Sequence, residues 1–170
     1  MVIVVMGVSG SGKTAVGEAL AARLGWAFED ADGFHPPANV DKMHRGVPLT
    51  DQDRLPWIRS LCRAVQKWSL DGRDVVLACS ALRKWYRDAL RAAVRDGRCI
   101  RFVYLKGGYE EIDRRLRLRV GHFMPESLLK SQFDTLEEPE SSEALVVGID
   151  PPIPAIVDSI LAGLHLDRPV

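Results

Sequence analysis

The run Gly7-Val8-Ser9-Gly10-Ser11-Gly12-Lys13-Thr14 satisfies G-x-x-x-x-G-K-[ST] at every constrained position. Each residue type has a task in that pattern. The glycines let backbone N–H groups turn inward around phosphates, and the helix that follows offers its positive end. Lys13 reaches the β- and γ-phosphates, and the Thr14 hydroxyl is able to ligate Mg²⁺. The motif follows an apolar strand and opens a helix, as the mechanism requires. Gly7 to Thr14 are therefore the expected binding residues for a nucleoside triphosphate, ATP with Mg²⁺.

The direction of phosphoryl transfer, to water or to an acceptor, depends on nearby acids. P-loop switches and motors end a second apolar strand in an Asp that holds the metal. Here that strand ends "LACSAL", and Ser80 stands where such an acid would be. The alternative acids are Asp30 and Asp32 in "DADGFHPPANVDKM", at the carboxyl end of a strand, where α/β sheets bind ligands. Asp30 is then the metal-side residue with Thr14, and Asp32 the base for an attacking hydroxyl. The plainer reading is that both acids cap a turn before Gly33.

The elements that must position these residues alternate in type. Short apolar runs at Val2–Met6, Ala27–Asp30, Asp74–Ser80, Ile100–Leu105 and Ala144–Ile149 read as strands. Between and after them, Thr14–Leu24, Lys84–Val94, Tyr109–Arg119, Glu126–Leu136 and Ile153–Leu164 read as helices. Thr50 with Asp53 resembles a capping box for a helix toward Leu70 with Pro56 in its first turn, preceded by an irregular stretch through Leu49. Five strands with helices between them predict a three-layer α/β/α sandwich on a parallel sheet.

Composition narrows the partners. The 170 residues suit a single domain, and 23 basic residues against 23 acidic ones give no net field toward nucleic acid or anionic lipid. Cys62, Cys79 and Cys99 are odd in number and lack C-x-x-C spacing, which fits a reducing cytoplasm. "VIVVM" is too short to span a bilayer and lacks the basic start of a signal peptide. A cytoplasmic protein with a small-molecule ligand, no nucleic acid and no membrane partner is expected.

Beyond the P-loop, "DADGFHP", "PLTDQDRLPW", "LACSALRKWYRD" and "GHFMPESLLKSQFDTLEEP" follow in order over nearly the whole chain. Together with "GVSGSGKT" they resemble gluconokinases, of the shikimate kinase and nucleoside monophosphate kinase-like branch of P-loop kinases. The resemblance implies ATP-dependent phosphorylation of D-gluconate at its 6-hydroxyl, one P-loop kinase domain over 1–170, an acceptor segment at about 32–56, a mobile lid at about 115–135, and a homodimer. It also implies that Arg54 receives the substrate carboxylate and that Asp32 and His35 face the polyol. Taken alone, Arg54 among three acids is equally a surface ion pair, and an isolated His35 equally a structural residue.

Ser80, Arg83 and Arg87 leave the third strand on the P-loop side of the sheet. Arg83 and Arg87 are i, i+4 neighbours, a like-charge pair that a bound anion would relieve, so all three are substrate-site candidates. In "YEEIDRRLRLRVGHFMP", Glu110–Arg114, Glu111–Arg115 and Asp113–Arg117 are spaced as intrahelical pairs, whereas Arg119 has only Arg115 four residues back. Kinases of the resembled branch clamp the triphosphate with two lid arginines. Arg119 fits that catalytic role best and Arg115 next, with Gly121 as hinge and His122 as a contact within the closed lid. A salt-bridged surface helix is the alternative. Gln132 with Phe133 could touch nucleotide or lid, and core packing of Phe133 is at least an equal reading. The four histidines lack zinc spacing. Two other functions remain open: a kinase for shikimate or a nucleoside monophosphate, and a nucleotide-dependent switch.

Overall fold

The strand Val2–Met6 (β1) is buried at every position, and its alternation shows why. Val2, Val4 and Met6 join one apolar cluster while Ile3 and Val5 join another. Both faces of the sheet are covered, so no position tolerates a polar side chain. The structure, a computed structural model, describes residues 1–95, 98–118 and 126–166.

These residues build a five-stranded parallel sheet in the order β2-β3-β1-β4-β5, with β2 at Ala27–Asp30, β3 at Val75–Ala78, β4 at Ile100–Lys106 and β5 at Leu145–Gly148. Helices α1 (Lys13–Leu24), α2 (Pro37–His44), α3 (Asp51–Leu70), α4 (Lys84–Ala93), α5 (Tyr109–Leu118), α6 (Glu126–Thr135) and α7 (Ile153–Leu164) surround it. One cluster packs α3 and α4 on the sheet through Trp57, Leu61, Val65, Tyr86 and Leu90. The other packs α1, α5 and α7 through Val16, Leu20, Ile112, Ile156 and Ile160. The α/β/α expectation holds.

The stretch through Leu49 is more ordered than an irregular segment. Ala31–Phe34 forms a 3₁₀ turn capped by Asp30, and α2 follows with Pro37 at its start. Proline's fixed φ suits a first helical residue. The helix escapes a periodicity reading because Asn39 is its buried residue. The Thr50 capping box is present with both of its hydrogen bonds, but Pro56 stands in the second turn of α3, not the first. The Gln52 carbonyl thereby lacks the N–H that would normally reach it.

Register decides what meets at the carboxyl edge. Val5 pairs with Ala78 and Ala78 with Asp30, so β1, β3 and β2 end level. The P-loop, Ser80 and the Asp30–Asp32 turn consequently leave the sheet side by side. Among the described residues, no helix is long and apolar enough to cross a membrane.

Candidate active site

Gly12 caps α1 with φ 94° and Gly10 has φ 84°, left-handed backbone that favours glycine. At Gly10 a second constraint applies. A Cβ there would sit 2.8 Å from Leu116 Cγ and 3.1 Å from Ile112 Cγ2, so α5 lies hard against the loop. Lys13 curls back, its Nζ donating to the Val8 carbonyl at 3.0 Å.

A cleft of about 600 Å³ opens over this loop. The P-loop, Asp30, Asp32 and Ser80 form its floor, His35, Arg54 and Trp57 one wall, and Leu116 and Gln132 the other. Asp30 serves two partners. One oxygen accepts the Asp32 N–H at 3.0 Å and the other the Thr14 hydroxyl at 3.0 Å. It caps its turn and also faces the nucleotide loop, so the two readings of this acid coexist.

Asp32 is accessible along the open cleft, yet the walls crowd its carboxyl on the remaining sides. Desolvation, followed by repulsion from Asp30, raises its pKa against the opposing pull of Lys13. His35 lies flat on the Trp57 indole, 4.7 Å between centroids and 3° between planes. Burial, then the Arg54 charge, lowers its pKa to about 4, and the ring is neutral at pH 7. Arg54 is steered from behind. Its Nη1 lies 3.5 Å from the Tyr86 hydroxyl and 3.7 Å from Asp51, and Tyr86 itself donates to Asp51 at 2.9 Å.

Arg83 and Arg87 depart from the sequence expectation. Arg83 precedes α4 as its cap and pairs with Glu137 at 3.2 Å. Arg87 is 1% exposed. Its Nη1 donates to the carbonyls of Ala81, Leu82 and Glu137 at 3.1, 3.3 and 3.0 Å, and its Nη2 to Glu143 at 3.4 Å. The carboxylates of Glu137 and Glu143 relieve this like-charge pair, and neither arginine lines the cleft.

Arg115 is also engaged, its Nε with Glu111 at 2.5 Å and its Nη2 with the Ile149 carbonyl at 2.9 Å. Arg117 pairs with Asp113 as its spacing suggests, but Arg114 pairs with Glu111 at i−3 in place of Glu110, an equally close helical neighbour. Arg119, Gly121 and His122 lie outside the described residues.

Sequence reasoning left Gln132 open, and it proves to grip the P-loop. Its Oε1 accepts the Ser9 N–H at 2.6 Å and its Nε2 donates to the Ser9 hydroxyl at 2.9 Å. Phe133 instead packs against Tyr109. A side chain reaching across 123 residues leaves no local spacing signal. Gln132→Ala is expected to raise the KM for ATP about fivefold, the scale of one or two lost neutral hydrogen bonds, with the melting temperature little changed. Initial rates against ATP concentration check this. Arg45 and His44 also line the cleft, and neither was a site candidate in the sequence, because they sit in a stretch without periodicity.

A family profile described as an AAA domain matches residues 2–139. Gluconokinase from Gluconobacter oxydans is 50% identical over 85% of this chain and 79% of its own. A probable gluconokinase from Xenopus tropicalis is 46% identical over 94% and 91%. The chain belongs to the gluconokinase family. A solved gluconokinase from Sinorhizobium meliloti 1021 superposes on it with a TM-score of 0.86 at 44% identity, covering 96% of this chain and 91% of that one. This gluconokinase-family chain is thus a P-loop kinase, and Gly7–Thr14 carries the pattern of that loop.

Proposed function

We propose that this chain transfers the γ-phosphoryl group of ATP to the 6-hydroxyl of D-gluconate, giving 6-phospho-D-gluconate and ADP. The observation that carries the reading is the shared cleft: Asp32, His35 and Arg54 face the same space as the P-loop. In a pocket for a polyhydroxy acid, Arg54 is the planar cation for the carboxylate, and His35 and Ser80 hydrogen-bond the polyol. Arg87 acts behind this wall by holding the turn after Ser80, and Arg83 pairs with Glu137.

Lys13 leaves the Val8 carbonyl for the β- and γ-phosphates. Asp32 takes the proton of the 6-hydroxyl as that oxygen bonds to phosphorus and the bond to ADP breaks. It returns the proton to solvent after products leave. Arg119 is the lid cation over the triphosphate, within a lid at about 115–135 that carries His122. Arg115 joins it only by releasing Glu111. The acceptor segment at about 32–56 and the lid belong to a single domain over 1–170.

The donor set fits Mg²⁺. Thr14 Oγ1 and Asp30 Oδ2 are hard oxygens 3.0 Å apart, and an ion that keeps waters and phosphate oxygens needs few protein ligands. When bound, it neutralises charge on the phosphates. A cytoplasmic homodimer completes the proposal, supported by the resemblance and by three free cysteines.

The test is ADP formation with ATP and a panel of aldonic acids, shikimate and nucleoside monophosphates. Stimulation by D-gluconate above its epimers is expected. A rate set by shikimate or a monophosphate would reassign the acceptor, and a slow rate unmoved by any of them would indicate a nucleotide-dependent switch.

A further inference from the structure

Asn39 is buried, 3% exposed, on a helix that otherwise presents little to the core. Its Nδ2 lies 2.8 Å from the Asp53 carbonyl oxygen. That oxygen only accepts, so the atom facing it is the amide nitrogen and it must donate. The same Nδ2 lies 3.3 Å from Nδ1 of His35. Its second hydrogen points to that ring nitrogen, and two N–H groups cannot face each other across this distance. Nδ1 is therefore the bare nitrogen.

We infer that Asn39 is a positioning residue which fixes the tautomer of His35, so that Nε2–H is offered as a donor to a hydroxyl oxygen of the acceptor. This deepens the reading of the cleft as a polyhydroxy-acid pocket and rests on it. The ring has little freedom to do otherwise. Trp57 stacks on its face, and the Trp57 indole N–H is itself held by the Ala31 carbonyl at 2.8 Å. Among the described residues, Nε2 has no hydrogen-bond partner in the protein, and His35 lines the cleft. The anchor is firm as well. Asp53 belongs to the capping box of α3, so Asn39 ties the tautomer to the start of that helix.

The experiment begins with the unaltered chain. Long-range ¹H–¹⁵N correlation at pH 7, with His35 assigned by its loss in His35→Gln, is expected to show an unprotonated Nδ1 and a protonated Nε2 in a single tautomer. A protonated Nδ1, or an average of the two tautomers, would overturn the inference. Asn39→Ala should then give averaged tautomers and raise the KM for D-gluconate about five- to tenfold, with kcat and the KM for ATP within about twofold. In a His35→Ala background the same Asn39 change should add nothing to the KM, since the two act as one unit. A further increase there would make Asn39 merely structural and sink the proposal. If Asn39→Ala does not fold, the spectrum of the unaltered chain still decides the tautomer. If His35→Ala leaves the KM for gluconate unmoved while Nε2 is protonated, the donor role fails together with the polyol reading, and the tautomer assignment alone survives.

Discussion

Asp32→Asn is expected to bind ATP as the unaltered chain does and to turn over gluconate about 10²- to 10⁴-fold more slowly, the range for removing a positioned base. The substitution keeps size and shape, and removes the carboxylate's charge together with its ability to take a proton. Asp30 remains on Thr14, so the nucleotide side of the cleft is undisturbed. A pH profile gives an independent reading. Burial and the Asp30 charge raise the Asp32 pKa above 3.8. The carboxylate acts only when ionised, so kcat/KM should fall as pH drops through that raised value, and the acid limb should lie above the usual range for Asp. The Asn variant should lack this limb. Turnover at the unaltered rate would reduce Asp32 to a turn residue.

The second large effect concerns stability. Arg87→Ala is expected to cost about 3–5 kcal/mol, the scale for breaking a buried charged pair by removing one partner. At this chain length that lowers the melting temperature by roughly 6–20 °C. Three carbonyls and Glu143 each lose the hydrogen bond that Arg87 gives them, although Glu143 keeps Lys84 and Arg91 and the Leu82 carbonyl keeps the Glu137 N–H. One of those carbonyls belongs to Ala81, whose φ of 43° is left-handed and unusual for a residue with a Cβ. Arg87 thus holds a strained turn directly after Ser80. Surviving activity should fall with stability, because that turn sets the cleft floor. The control is Arg114→Ala, whose exposed pair with Glu111 should change stability by less than about 1 kcal/mol. Thermal melts of both variants check the contrast, and equal losses would refute the assigned role of Arg87.

These two residues mark what could be read in the chain. The place of Asp32 in the cleft was legible because the P-loop fixes one end of the geometry and parallel strands bring their carboxyl ends to one edge. The strands were legible because burial on both faces leaves apolar runs such as "VIVVM" and "VVLA". Arg87 was misread for a physical reason: sequence shows a charge and its local neighbours, while the carboxylate that neutralises it lies 56 residues away. Gln132 and Asn39 were obscure for the same reason, their partners being distant backbone groups. The helix at Pro37–His44 was missed because most of it faces solvent and carries no apolar stripe.

The central claim is that ATP and a polyhydroxy acid meet in one cleft with Asp32 at the attacking hydroxyl. A crystal structure with D-gluconate and a non-hydrolysable ATP analogue tests it most directly. The account predicts a carboxylate oxygen of Asp32 within about 2.6–3.2 Å of the gluconate 6-hydroxyl oxygen, and that oxygen facing the terminal phosphate. Gluconate bound outside the cleft, or its 6-hydroxyl turned away from Asp32 in the complete complex, would contradict it.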